Sequence, residues 1–174
     1  MNEENRLNSL EVALNNELKE RAFYLNHSQR TSNPVGKAMF QQIADEELEH
    51  YERLKQLHDL WQQQKKWPET VPLQVKNTNV KDVLKNILKQ SDSMPKGEDD
   101  DLQAIQTAIE FEARGAAFYA ELRDSVADPQ EKQFFNLLAT IENEHYLSLK
   151  DTEEFLTDPV SWYRIKERHH LDGG

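Results

Sequence analysis

The sequence predicts an all-α fold, a four-helix bundle built from two hairpins and one long crossover. Three observations point there. Four long segments carry apolar residues at helical steps of three and four. The chain repeats itself at a constant offset of 95 residues, as from Glu47 to Glu142. Glycine and proline are scarce, at 5 and 6 of 174 residues, which disfavours a turn-rich all-β chain. A length of 174 residues is the size of one domain.

The first helix is expected over about 8–26, with Leu10, Ala13, Leu14, Glu17, Glu20, Arg21 and Tyr24 on one face. Asn33-Pro34 opens the second, an N-cap followed by proline at the first helical position. Its stripe is Phe40, Ile43, Ala44, Glu47, His50, Tyr51, Leu54, Leu57 and Trp61, running to about 66. Two prolines make 67–72 an extended connection. A short amphipathic helix is expected over 80–88, with Asn79 as its cap, and then a polar loop over 91–101. The third long helix, about 101–126, presents Ile105, Ala108, Ile109, Glu112, Gly115, Ala116, Tyr119 and Leu122. Asp128-Pro129 opens the fourth, which carries Phe135, Leu138, Ala139, Glu142, His145, Tyr146 and Leu149. Asp158-Pro159 stops it at the end of a bundle spanning 1–159. The basic, aromatic tail 160–174, with Trp162, Tyr163, Arg164, Lys166 and Arg168, is expected to pack on the bundle or on a partner chain.

The repeat fixes the architecture. Fourteen positions are identical across 13–54 and 108–149, among them Glu17/Glu112, Tyr24/Tyr119, Phe40/Phe135, Glu47/Glu142 and His50/His145. Each half is a helical hairpin, and its short connection makes the two helices antiparallel. The stretch between the hairpins is long enough to cross the bundle. Two pseudo-twofold hairpins result.

The chemistry lies on the bundle axis. Glu47-x-x-His50 and Glu142-x-x-His145 each place two side chains on one helical face. Glu17 and Glu112 precede the Glu-x-x-His glutamates by 30 residues in both halves, which puts them at matching heights. Glu47 and Glu142 sit within apolar stripes, where an uncompensated carboxylate is unfavourable by several kcal/mol. Four such carboxylates carry a charge of about −4, which two divalent cations balance. Carboxylate and imidazole donors suit iron, manganese or zinc. One Glu from each of two helices plus a Glu-x-x-His from the other two is the known ligand pattern of di-iron and di-manganese carboxylate bundles. Ala44 and Ala139 leave room beside it.

Other residues carry two readings. Tyr24 and Tyr119, two turns beyond Glu17 and Glu112, are either core residues with satisfied hydroxyls or hydrogen-bond donors and radical-capable neighbours of the metals. Glu46, Glu49 and Glu144 point away from the stripe and are expected to be solvated or to support the ligands from outside. His27, His58, His169 and His170 break the repeat and read as surface or packing residues.

Composition removes several function classes. Lone glycines exclude a phosphate-binding loop. The absence of cysteine excludes disulfides, zinc ribbons, thiolate clusters and cysteine nucleophiles. A net charge of −11 makes nucleic acid a poor partner. Mean hydropathy of −0.89 without a long apolar run excludes a membrane span. The polar start lacks a signal-peptide pattern, so a cytoplasmic location is expected.

These residues resemble the rubrerythrin family of the ferritin-like superfamily. The resemblance covers about 8–156 and rests on the doubled pattern Glu17…Glu47-x-x-His50 and Glu112…Glu142-x-x-His145, with Tyr24 downstream of the first Glu. It implies a di-iron centre that reduces hydrogen peroxide to water. It also implies terminal ligation by Glu17, Glu112, His50 and His145, and bridging by Glu47 and Glu142. Two departures follow. Without cysteines this chain is similar to the short members that lack a rubredoxin domain, so an external donor of the rubredoxin or flavin-reductase type must supply electrons. The position of the family's seventh carboxylate is Gly115, and Glu20, its repeat equivalent, is the candidate to fill that role from the other side. Two other readings stay open. One is an oxygen-reactive ferroxidase or iron-handling protein. The other is a non-enzymatic metal-binding or redox-sensing module that uses its tail. The long crossover makes a homodimer with exchanged hairpins an expectation too.

Overall fold

The computed structural model describes residues 3–64, 76, 78–89 and 97–171, with side chains between 5 and 165. Among these residues there are six helices and no strand. Helices α1 (Glu3–Arg30) and α2 (Pro34–Gln64) form one hairpin; α4 (Asp99–Ser125) and α5 (Pro129–Thr157) form the other. The short α3 (Val80–Leu88) belongs to the crossover and lies against α2 and α5, while α6 (Pro159–Leu171) packs on α5. Across the bundle α1 meets α4 and α2 meets α5. The chain is therefore an all-α, ferritin-like bundle. No helix among the described residues is long and apolar enough to cross a membrane.

The caps explain how the hairpins turn. Asn33 Oδ1 accepts from the backbone N–H groups of Val35 and Gly36 at 3.0 and 3.2 Å. Asp128 Oδ1 does the same for Gln130 and Glu131 at 2.8 and 3.1 Å. Such a cap contributes about 1 kcal/mol, and proline in the first helical turn lacks the N–H that would otherwise be unpaired there.

Two apolar clusters fill the bundle, one on each side of a polar layer. The first holds Leu10, Leu54, Leu57, Trp61, Tyr119, Phe134, Phe135 and Leu138. The second holds Tyr24, Met39, Phe40, Ile43, Ile105, Leu149, Phe155 and Leu156. Val80 and Leu84 bring α3 into the second cluster.

Several ends differ from expectation. Helix α1 starts at Glu3 and runs to Arg30, because no Gly or Pro interrupts the segment and its first turns are tethered. Leu7 packs on the first cluster, Arg6 stacks over Trp61 at 4.3 Å, and its Nε pairs with Glu131 at 2.9 Å. Helix α3 matches its expected span, but the Asn79 side chain caps nothing; Thr78 Oγ1 accepts from the Val80 N–H at 3.0 Å instead. The loop expected to reach Asp101 gives way to α4 at Asp99, since the Glu98 N–H donates to Asp101 Oδ2 at 3.2 Å. The start of the tail is helical: Asp158 ends α5, and its carboxylate accepts from the Ser161 N–H at 3.0 Å to open α6. Trp162 and Tyr163 then stack edge-on against Phe155, with centroids 5.4 and 6.1 Å away. The connection expected at 67–72 and the start of the loop expected at 91–101 lie outside the described residues, as do the side chains of Lys166, Arg168, His169 and His170.

Candidate metal centre

The polar layer between the two clusters is made by four helices. Helix α1 contributes Glu17, α2 contributes Glu47 and His50, α4 contributes Glu112, and α5 contributes Glu142 and His145. All six side chains are buried, at 2% exposure or less. They fall into two groups whose donor atoms lie within 4.8 Å of one another: Glu17, Glu47, His50 and Glu142; and Glu47, Glu112, Glu142 and His145. Glu47 and Glu142 belong to both groups.

The distances repeat the symmetry. His50 Nδ1 lies 3.4 Å from Glu17 Oε2, 3.5 Å from Glu47 Oε2 and 3.3 Å from Glu142 Oε1. His145 Nδ1 lies 3.2 Å from Glu112 Oε2 and 3.5 Å from Glu47 Oε1. Each imidazole thus faces carboxylates of both hairpins. The two rings stack at 6.0 Å and 18°.

The tyrosines tie the halves together. Tyr24 on α1 donates to Glu112 Oε1 on α4, and Tyr119 on α4 donates to Glu17 Oε1 on α1. Both hydroxyls are therefore satisfied by members of the donor groups. Phe40 and Phe135 back the two rings at 6.0 and 6.5 Å. Burial, and then the nearby carboxylates, push both phenols well above their usual value, so each keeps its proton for that hydrogen bond.

The electrostatics of this layer follow from its crowded, buried carboxylates. Burial, then Glu142 and Glu17, drive Glu47 well above the usual carboxylate range. Burial and Glu112 lift Glu142 to about 8. Burial opposes it, but the neighbouring Glu47 carboxyl and pairing with His50 hold Glu17 below its ordinary value. Burial likewise opposes it, yet the carboxylates hold His50 and His145 well above 6.5. Crowding of buried carboxylates thus favours the protonated forms of Glu47, Glu142, His50 and His145. Both oxygens of Glu47, both of Glu142, Glu17 Oε2 and His50 Nδ1 are buried with no hydrogen-bond partner among the described residues. Unpaired buried carboxylate oxygens cost about 1–3 kcal/mol each or more. Their convergence fits divalent cations with oxygen and imidazole ligands. The cluster is compatible with a di-iron centre, and its chemistry leaves the identity of the metal open.

Around the six donors the halves differ. Glu20, half-buried on α1, joins neither donor group; burial, Glu142 and Glu17 raise it to about 8 against the opposing charge of Arg114. Its repeat equivalent, Gly115, faces the Glu142 side chain closely: a Cβ there would lie 2.8 Å from Glu142 Oε2. Glu46 supports the layer from outside. His145 Nε2 donates to Glu46 Oε2 at 2.6 Å. Burial alone would raise Glu46, but His145 holds it at about 2. Glu49 turns to the crossover, where its carboxylate accepts from the Lys76 N–H at 3.3 Å. His27 packs against Phe23 and Phe40. The signal that could have singled out Glu46 is a break in the repeat, which carries Ile141 at the equivalent position.

The family model described as Rubrerythrin matches residues 8–153, most of the chain. No curated protein and no solved structure matches it.

Proposed function

We propose, from the premise that this chain belongs to the rubrerythrin family, that it is a di-iron oxidoreductase reducing hydrogen peroxide to water with electrons from an external donor. The observation that carries this reading is the pair of buried donor groups sharing Glu47 and Glu142, whose carboxylate oxygens have no hydrogen-bond partner among the described residues. Glu17, Glu47, His50 and Glu142 would hold one iron, and Glu112, Glu142, His145 and Glu47 the other. When bound, the metal pair supplies the two electrons that convert peroxide and two protons into two waters.

The chain's own groups do the rest. Tyr24 and Tyr119 orient the terminal carboxylates Glu112 and Glu17 through hydrogen bonds, which keeps one lone pair of each aimed inward. In the metal-free chain burial, Glu142 and Glu17 raise Glu20 to about 8, so its carboxyl is the group placed to hold a proton beside the site. Once ionised, it is the candidate seventh carboxylate from the α1 side. The apolar clusters on both sides of the layer keep bulk water out. These 174 residues hold no cysteine for a thiolate iron of their own, and the proposed external donor is of the rubredoxin or flavin-reductase type. A bundle over 1–159 with a tail 160–174, a cytoplasmic location and a homodimer with exchanged hairpins complete the proposal.

Stopped-flow reoxidation of the anaerobic diferrous protein, with peroxide and dioxygen at equal concentration, tests it. Much faster oxidation by peroxide is expected. Faster oxidation by dioxygen with repeated iron uptake would replace the peroxidase by a ferroxidase. Failure to hold two irons would remove the centre altogether.

A further inference from the structure

The two donor groups differ in what stands behind their imidazoles. The outer nitrogen of His145 donates to Glu46 Oε2 at 2.6 Å, and that carboxylate is pinned from its other side. Its Oε1 accepts from the Asn79 N–H at 3.3 Å, at the entry to α3, and from Gln42 Nε2. Among the described residues no carboxylate pairs with the outer nitrogen of His50. At the repeat equivalent of Glu46 the chain has Ile141, which is buried in the first apolar cluster.

We propose that Glu46 is a positioning residue that makes the two metal positions unequal, the one built on His145 being the tighter. This rests on the metal-centre reading above. A carboxylate accepting from the outer N–H fixes the ring's tautomer and orientation, and it makes the inner nitrogen a stronger donor. With Nε2 committed to Glu46, Nδ1 is the nitrogen left facing the carboxylates, and the ring cannot turn without breaking that bond. Removing such a partner typically costs about 10- to 100-fold in metal affinity. His50 Nδ1 faces three carboxylates within 3.5 Å and His145 Nδ1 two, but only the His145 ring has a carboxylate behind its outer nitrogen among the described residues. The asymmetry comes from the crossover: Asn79, which anchors Glu46, lies on the segment that joins the hairpins and covers α2 and α5.

The test uses the metal-free full chain titrated with cobalt(II), read by its ligand-field bands. His50→Ala retains the His145 position, and His145→Ala retains the His50 position. The first is expected to bind cobalt about ten-fold or more tightly than the second. Glu46→Ile, the residue of the other half, should weaken binding about 10- to 100-fold in the His50→Ala background. In the His145→Ala background it should change binding by less than about two-fold, because distant or unconnected effects add. Glu46→Gln, which keeps an acceptor, should recover part of the loss.

Equal affinities in the two histidine variants would overturn the proposal. So would an equal loss in both backgrounds, which marks Glu46 as a purely structural contact of the crossover, or no loss in either. If a histidine variant fails to fold, stepwise cobalt binding to the unaltered chain and to Glu46→Ile decides. Two classes of site becoming one supports the inequality; two unchanged classes overturn it. An unaltered chain that binds no cobalt, iron or manganese would instead refute the metal-centre reading itself.

Discussion

Hairpin α1/α2 and hairpin α4/α5 follow one pattern, and the places where they part lie next to the chemistry rather than in it. Glutamate, Glu-x-x-His, tyrosine and backing phenylalanine recur in both. Their contacts cross from half to half: Tyr24 to Glu112, Tyr119 to Glu17, His50 to Glu142, His145 to Glu47. The neighbours do not recur. Glu20 stands against Gly115, and Glu46 against Ile141. A pseudo-symmetric donor set is thus placed in an asymmetric surround. That surround sets the two positions apart.

The largest expected effect breaks both halves together. Glu47→Ala or Glu142→Ala removes a carboxylate common to both donor groups, so each should abolish binding of both ions. Two ions held at about a hundred-fold over their dissociation constants add about 5 kcal/mol, or about 10–20 °C in melting temperature. Metal should no longer raise the melting temperature of either variant, as calorimetry with and without a chelator would show. His50→Ala and His145→Ala should each leave one ion bound.

The pH dependence of the metal-free chain comes next. Glu142 titrates near 8 in the folded protein, against about 4.5 when exposed. Glu47 is raised too, and His50 and His145 hold their protons above 6.5. Between pH 4.5 and 8 the folded state therefore binds more protons than the unfolded one, and stability falls as pH rises. Glu17 and Glu46 act in the opposite sense only below about 4.5, where their stabilisation is lost as pH falls. Metal binding needs the deprotonated ligands, so the rise in melting temperature on loading should grow from pH 6 to 8. A rise that is constant with pH would contradict this charge balance.

Gly115→Ala sharpens the difference between the halves. Alanine gains about 1 kcal/mol of helix propensity over glycine, but its Cβ would push on the Glu142 carboxylate. The expected outcome is a metal-free protein within about 1–2 kcal/mol of the original that has lost metal affinity. Metal stoichiometry and a thermal melt would separate the two effects. Unchanged affinity would mean that Glu142 has room to step aside.

The smallest effect tests where the halves should agree. Asn33→Ala and Asp128→Ala each remove two backbone-accepting bonds and should each cost about 1 kcal/mol. That is about 2–4 °C in melting temperature. Costs differing by more than about two-fold would show that the turns of the two hairpins carry different loads.

The caps and the doubled glutamates and histidines were legible because they are local: a cap acts over three residues and a ligand pair over one helical turn. The bounds of α3 were legible for the same reason. What escaped is what a distant element decides. Periodicity put Tyr24 and Tyr119 on the inner face but could not say that each reaches the other hairpin. Glu46 lies about 100° around α2 from Glu47, which looks outward in an isolated hairpin; α5 and the crossover are what occupy that side. Asn79 has the chemistry of a cap, yet Thr78 does the work because of where the crossover docks. The tail's first turns, rich in aromatic residues, become a helix where Phe155 offers Trp162 and Tyr163 a surface.

The crossing contacts also set an order of events for a newly made chain. A solitary first hairpin owns Glu17, Glu47 and His50, and neither donor group is complete without Glu142 from the second. Nothing short of docking the two halves assembles a full nest for either ion. A truncated or half-synthesised chain thus carries only part of either donor group, and the complete set marks a chain whose halves have docked.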